Sequence, residues 1–270
     1  MKKDNIYNPE GSILRRDQIE MVKILRHLAE ILEKNDIQWW LSSGTLLGAA
    51  RHQGFIPWDD DIDIVVLRKD FARLEKALSN MDSDDYFFQS MKTDVEYINI
   101  FAKYRKKEGR VEAKDRRNKY YKYAGPGLDI FAIEKTNRFS AVAAKFLYHS
   151  IQYPTSYIRI KWIRRVLVRL VELIHLVLVF PLLRLVGKIN PNEEYHYVLG
   201  TGWPDHTFYM KYTFPLSTAE FEGEVVPVPY DMDAYLTTVY GDWKKLPTES
   251  QIKKAIHCRE YREEIFGSQT

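Results

Sequence analysis

Residues 44–66 read GTLLGAARHQGFIPWDDDIDIVV, and four aspartates fall within positions 59–63, directly before an apolar run. The segment DIDIVV (61–66) alternates acid with isoleucine before turning wholly apolar. This pattern predicts a strand with Asp61 and Asp63 on one face and Ile62 and Ile64 on the other. Two carboxylates held so close repel each other unless a cation lies between them. Magnesium suits the pair, because it takes one or two carboxylates and leaves its other positions to water and phosphate oxygens.

The flanking sequence extends the reading in both directions. Upstream, IQWWLSS (37–43) is a short strand-like run ended by Gly44, and TLLGAARH favours a helical turn. Gly44 and Thr45 then offer backbone amides and a hydroxyl to a phosphate at a helix start, and Arg51 is placed to neutralise a leaving phosphate. Asp59 and Asp60, behind Pro57-Trp58, read as residues that shape the loop, and His52 as a loop histidine. Downstream, RKDFARLEKALS (68–79) reads as a helix, YINIFAKYRK (97–106) as a strand, and GLDIFAI (127–133) as a strand entered through Gly125-Pro126-Gly127. Asp129 lies between Leu128 and Ile130, which puts a third carboxylate where core burial would otherwise forbid one.

An amphipathic helix over 16–33 precedes these elements, with Ile19, Val22, Leu25, Ala29 and Leu32 three or four residues apart. Between 140 and 190 the pattern changes to long helical segments interrupted by Pro154 and Pro181. There Lys161, Arg165, Arg169, Glu172 and His175 form a polar stripe opposite Val166, Leu167, Leu170 and Ile174. The uncharged run LVLVFPLL is too short to span a bilayer, which takes roughly 20 residues. Two readings stay open: a core helix pair, or an interfacial helix making peripheral membrane contact through 156–189 with Arg159, Lys161, Arg164, Arg184 and Lys188 at the head groups. In the last third GEVVPVP (223–229) is strand-like, and DMDAYLTTVYG and ESQIKKAIHCREYREEI read as two helices. The expected organisation is a catalytic core over 1–139, a helical insertion over 140–190 and a part over 191–270 that completes the catalytic domain.

Bulk properties narrow the class. A 270-residue chain with 45% hydrophobic and 29% charged residues is an ordinary globular composition. A net charge of +3 gives no global field for nucleic acid, and the basic runs KYRKKEGR (103–110) and RIKWIRR (159–165) read as solvated faces. One cysteine, Cys258, forbids an internal disulfide framework, so a reducing compartment fits. MKKDNIYNPEGS lacks the apolar stretch of a secretory signal, and the expected location is the cytoplasm or the inner face of the cell membrane.

Gly-Thr at a helix start, Asp-x-Asp on the next strand and a lone Asp on a later strand match the signature of the nucleotidyltransferase superfamily. The whole stretch 44–66 resembles the hallmark segment of the LicD family of phosphotransferases, which also includes fukutin-type proteins. GPGLDIFAIE (125–134) and FEGEVVPVPYDMDAYLTTVYGDWKKLP (221–247) are similar to further segments of that family. One departure is Ala132-Ile133-Glu134, where relatives commonly carry a proline and an aspartate. The resemblance implies an α/β fold with a small mixed sheet flanked by helices. It also implies a metal site at Asp61, Asp63 and Asp129 holding one or two magnesium ions, with manganese as a substitute. The implied reaction transfers a phospho-alcohol, typically phosphocholine from CDP-choline, to a hydroxyl of a cell-surface glycan or its lipid-linked precursor such as teichoic acid, with CMP leaving. Other members use CDP-linked alditols. A choline head group would want an aromatic cage, for which Trp39, Trp40, Trp58, Tyr120, Tyr121 and Tyr123 are candidates. The rivals are a true nucleotidyltransferase that releases pyrophosphate, a metal-dependent glycosyltransferase, against which the Gly-Thr turn and Asp129 argue, and a catalytically silent membrane-associated scaffold.

Overall fold

A computed structural model of the chain describes residues 6–79, 83–111, 116–256 and 258–267. Helix α1 (Ile13–Lys34) starts at Ser12, whose Oγ accepts from the Arg15 amide, and buries Leu14, Met21, Leu25, Leu28 and Leu32 along one stripe. Strand β1 (Trp39–Leu41) is fully buried and shorter than expected, because Ser42 is the N-cap of α2 (Ser43–His52). Strand β2 (Asp63–Leu67), α3 (Arg68–Ser79), β3 (Tyr86–Gln89), β4 (Ala102–Lys106) and β5 (Gly127–Lys135) follow. The strand expected over 97–106 is thus confined to its second half.

The five strands lie in the order β1-β2-β5-β4-β3, and β6 (Tyr195–Tyr197) pairs with the end of β5. Only β2 and β5 run parallel, so the fold is α/β with a six-stranded mixed sheet. Helices α1 and α3 pack on the central strands, and His27 of α1 meets the Tyr104 hydroxyl at 3.0 Å. Strand alternation therefore sends Leu128, Ile130 and Ile64 into the core and leaves Asp63, Asp129 and Phe131 for the other face.

Helix α4 (Arg138–Ser156) runs through Pro154 without breaking, and α5 (Lys161–Ile174) continues through a π-helical turn (His175–Val179) into α6 (Phe180–Gly187). Pro181 does not interrupt this helix as expected. The π turn, in which the Phe180 amide donates to the His175 carbonyl, absorbs the missing proline N–H just upstream of it. The result is one 27-residue helix, Lys161–Gly187, and by length and composition it is apolar enough to cross a membrane, which corrects the short-run argument from sequence.

The helix α7 (Met210–Thr213) precedes a hairpin of β7 (Ser217–Phe221) and β8 (Glu224–Val228), which packs on β1. Helix α8 (Met232–Tyr240) ends at Gly241, whose φ is +68°. The segment expected as one last helix is two, α9 (Glu249–Ala255) and α10 (Arg259–Phe266). At the start of α10 the Cys258 amide donates to Asp60 Oδ2 at 2.7 Å.

Candidate active site

The site begins with strand register. Asp63 on β2 is the partner of Asp129 on β5, and Asp129 is in turn the partner of Lys103 on β4. Adjacent strands lie about 4.8 Å apart, so the three side chains form one row across the cleft face of the sheet. Asp129 is 7% exposed and ion-paired with the Lys103 ammonium. Burial, aided by the Asp61 and Asp129 charges, pushes the Asp63 carboxyl well above the usual carboxylate range. Burial likewise raises Asp129, opposed by Lys103 and aided by Asp61.

Two local devices hold the row. The Asp63 amide donates to Thr45 Oγ1 at 2.8 Å, which fastens the start of β2 to the first turn of α2. Gly48 of α2 lets the Gly54–Ile56 strand entrance approach closely, since a Cβ there would lie 2.4 Å from the Gly54 carbonyl oxygen. On the far side of that entrance, Glu222 of the β7–β8 turn accepts from the Phe55 amide at 3.1 Å and from Arg15 at 2.8 Å.

Asp59, Asp60, Asp61, Asp63 and Asp129 line a cleft of about 1090 Å³. Carboxylate oxygens of Asp59, Asp60 and Asp61 come within 4.8 Å of one another, so Asp61 belongs both to this loop cluster and to the row begun by Asp63. Asp60 is already engaged by Cys258, in keeping with a loop-shaping part. Among the described residues the carboxylates that converge are Asp59, Asp60 and Asp61, while Asp63 and Asp129, both raised chiefly by burial, offer further hard oxygen donors of the kind a dication takes.

Of the expected phosphate ligands, Gly44 and Arg51 line the cleft, whereas Thr45 is 1% exposed with its Oγ1 accepting from the Asp63 amide. Ser43 takes the place expected of Thr45 at the cleft wall and contacts the Tyr197 hydroxyl at 3.1 Å. Arg51 reaches the Lys245 carbonyl at 3.2 Å and stacks 5.8 Å from the Trp243 ring. The run 103–110 departs from a solvated face, because Lys103 and Arg105 both line the cleft and Arg105 is buried. Their alternation with Ala102 and Tyr104 was the available signal.

Trp39 and Trp40 are core residues, while Trp58 and Tyr121 reach the cleft. Pattern reading missed a denser aromatic wall: Phe101, Phe131 and Tyr197 lie 6.2, 5.6 and 6.5 Å from the Trp203 ring. It also missed His206, whose imidazole burial holds below its ordinary pKa, and Tyr240, whose phenol is held well above its ordinary pKa by burial and then by Asp63. All four of Trp203, His206, Tyr197 and Tyr240 come from segments with no periodic signal pointing to β2.

Residues 36–160 match the family model described as LicD/FKTN/FKRP, nucleotidyltransferase domain. The chain carries a LicD-family domain. Over 264 residues it is 26% identical to the lipopolysaccharide cholinephosphotransferase LicD of Haemophilus influenzae, covering 92% of this chain and 97% of that protein. Human ribitol 5-phosphate transferase FKRP is 41% identical over 51 residues, which are 19% of this chain and 10% of FKRP. An uncharacterised Rickettsia prowazekii protein is 41% identical over 68 residues, so the match spans 25% of this chain and only 26% of that relative. The LicD-family match includes β2, β5 and every expected aspartate.

Proposed function

We propose that the cleft transfers a phospho-alcohol from a CDP-linked donor to a hydroxyl of a cell-surface glycan or its lipid-linked precursor, releasing CMP. The row of Asp63, Asp129 and Lys103, with Asp61 beside it, carries this reading. Asp61, Asp63 and Asp129 would hold magnesium, which when bound supplies positive charge to the donor phosphates. Arg51 and Arg105 line the same cleft and suit phosphate oxygens as charge-assisted donors.

In the reaction the acceptor oxygen forms a bond to the phosphorus that bears the alcohol, and the bond from that phosphorus to the bridging oxygen of CMP breaks. The acceptor proton passes to a cleft carboxylate, and CMP departs with the electron pair of the broken bond. The chain's own part is positioning and charge: the aspartates gather at the attacked phosphorus, the arginines hold the departing phosphate, and the aromatic wall shields the site from water.

The wall around Trp203 favours a quaternary ammonium head group, since aromatic faces attract such cations. The naming of the Haemophilus relative as a cholinephosphotransferase supports phosphocholine as the transferred group. The local likeness to a ribitol 5-phosphate transferase supports CDP-ribitol as the second donor to try.

The test is CMP release from CDP-choline, CDP-ribitol, CDP-glycerol and CDP-ethanolamine with magnesium and a glycan-lipid extract. One donor should turn over, and Asp61→Asn or Asp63→Asn should lower the rate about a thousandfold, near 4 kcal/mol of barrier. Pyrophosphate release from a nucleoside triphosphate would replace this reading with a nucleotidyl transfer.

A further inference from the structure

The helices over 138–187 are built inside out. On α5 and the turn after it, the residues buried against the rest of the molecule are Arg164, Val168, Glu172 and His175. The solvent side of the same helix is apolar: Trp162 is 69% exposed and Val177 67%. On α4 the outward positions include Phe139, Ile151 and Phe146, the last 71% exposed. A helix that packs on a water-soluble domain normally shows the opposite arrangement.

Each charged side chain within 162–187 is paired, and Arg164 and Glu172 are buried. Arg164 forms two hydrogen bonds to Glu96 at 2.9 and 3.0 Å, and Arg165 joins the same carboxylate at 2.9 Å. Arg169 pairs with Glu172, and Arg184 holds Glu134 at 2.7 Å. The exposed cations Arg159 and Lys161 stand at one end of the long helix and Lys188 at the other. Both α5 and α6 pack on α4, so the outward faces adjoin.

We infer that this two-helix face is a monotopic docking surface for an anionic bilayer. Ion pairs spaced from Arg164 to Arg184 hold the 27-residue helix along the domain, so it lies in the membrane plane, about 40 Å long, instead of crossing. Its terminal cations sit where anionic head groups would meet them, each contributing about 1 kcal/mol. Tyr153 and Tyr157, at the C-terminal end of α4, line the cleft. On the reading proposed above, and resting on it, the acceptor is then anchored in that same bilayer. The docking itself depends only on the helices.

Flotation of the full chain with vesicles of phosphatidylcholine, with and without phosphatidylglycerol, tests the surface in the absence of donor, acceptor and metal. The protein should float, more so as phosphatidylglycerol increases. The triple variant Phe146→Gln, Trp162→Gln, Val177→Gln replaces exposed side chains and should partition at least about tenfold less. A wild-type chain that stays in solution at every composition, or a variant that floats equally well, overturns the proposal. So does sedimentation showing a dimer that the triple variant dissolves while neither chain floats. Failure of CMP release leaves the vesicle result standing, which separates the two readings.

Discussion

Asp63 carries a penalty whenever no cation is bound. Its pKa is raised in the folded protein, so the protonated form is favoured there, and stability falls as pH rises from the unfolded value of 3.8 through the folded one. Asp63→Asn removes that loss. In chelator at pH 8 the variant should melt above wild type, by about 2–4 °C per kcal/mol of burial and repulsion cost relieved. Magnesium should raise the melting temperature of wild type far more than that of the variant, and calorimetry with and without the ion reads both effects. Thr45 acts one step removed, because its hydroxyl holds the Asp63 amide. Thr45→Val should cost about 1–3 kcal/mol by leaving that buried amide unpaired, and Thr45→Ser should restore most of it, as denaturant unfolding would show. The aspartates were legible from sequence because acids in an apolar strand are conspicuous. The part played by Thr45 was not, since a Gly-Thr helix start has the same letters whether the hydroxyl faces a phosphate or a strand amide.

At the scale of elements, α5 holds Glu172 against α4 with Arg169 and Gln152 as its polar partners, the latter at 3.5 Å. Burial pushes this carboxyl up to about 7, with Arg169 opposing. The folded form therefore binds the proton more tightly than the unfolded one, and stability declines between pH 4.5 and about 7. Glu172→Gln should flatten that decline and stabilise the protein at pH 8 by about 1–3 kcal/mol, read from urea unfolding at several pH values. The period of α5 was readable, as were the bounds of α3. Which face of α5 meets the domain was not, because amphipathicity gives two faces and only the partner surface, here Glu96 and Glu134, decides between them. The strands β3, β6 and β7 escaped notice because four, three and five residues give alternation too little length to show.

For the whole molecule, the Glu96–Arg164 pair ties the helical region to the segment between β3 and β4, with side chains only 8% and 5% exposed. Removing one partner of such a pair costs about 3–5 kcal/mol, mostly from the charge left behind. Glu96→Ala should accelerate tryptic cleavage at Arg159 and Lys161, in the short link between α4 and α5, well before the sheet is attacked. The α/β class could be read from the spacing of strands and helices around 44–66. The closing of the cleft by Trp203, His206 and Tyr240 could not, as it depends on contacts across most of the chain.

The bond from the Cys258 amide to Asp60 joins positions 198 residues apart. The acidic loop is thus fastened from two directions, by Gln18 on α1 and by a backbone amide far along the chain. A cut between the two positions that frees the C-terminal helices would therefore leave every cleft aspartate in place and remove one of the loop's fasteners, with Gln18 still holding the Asp59 carbonyl at 2.9 Å.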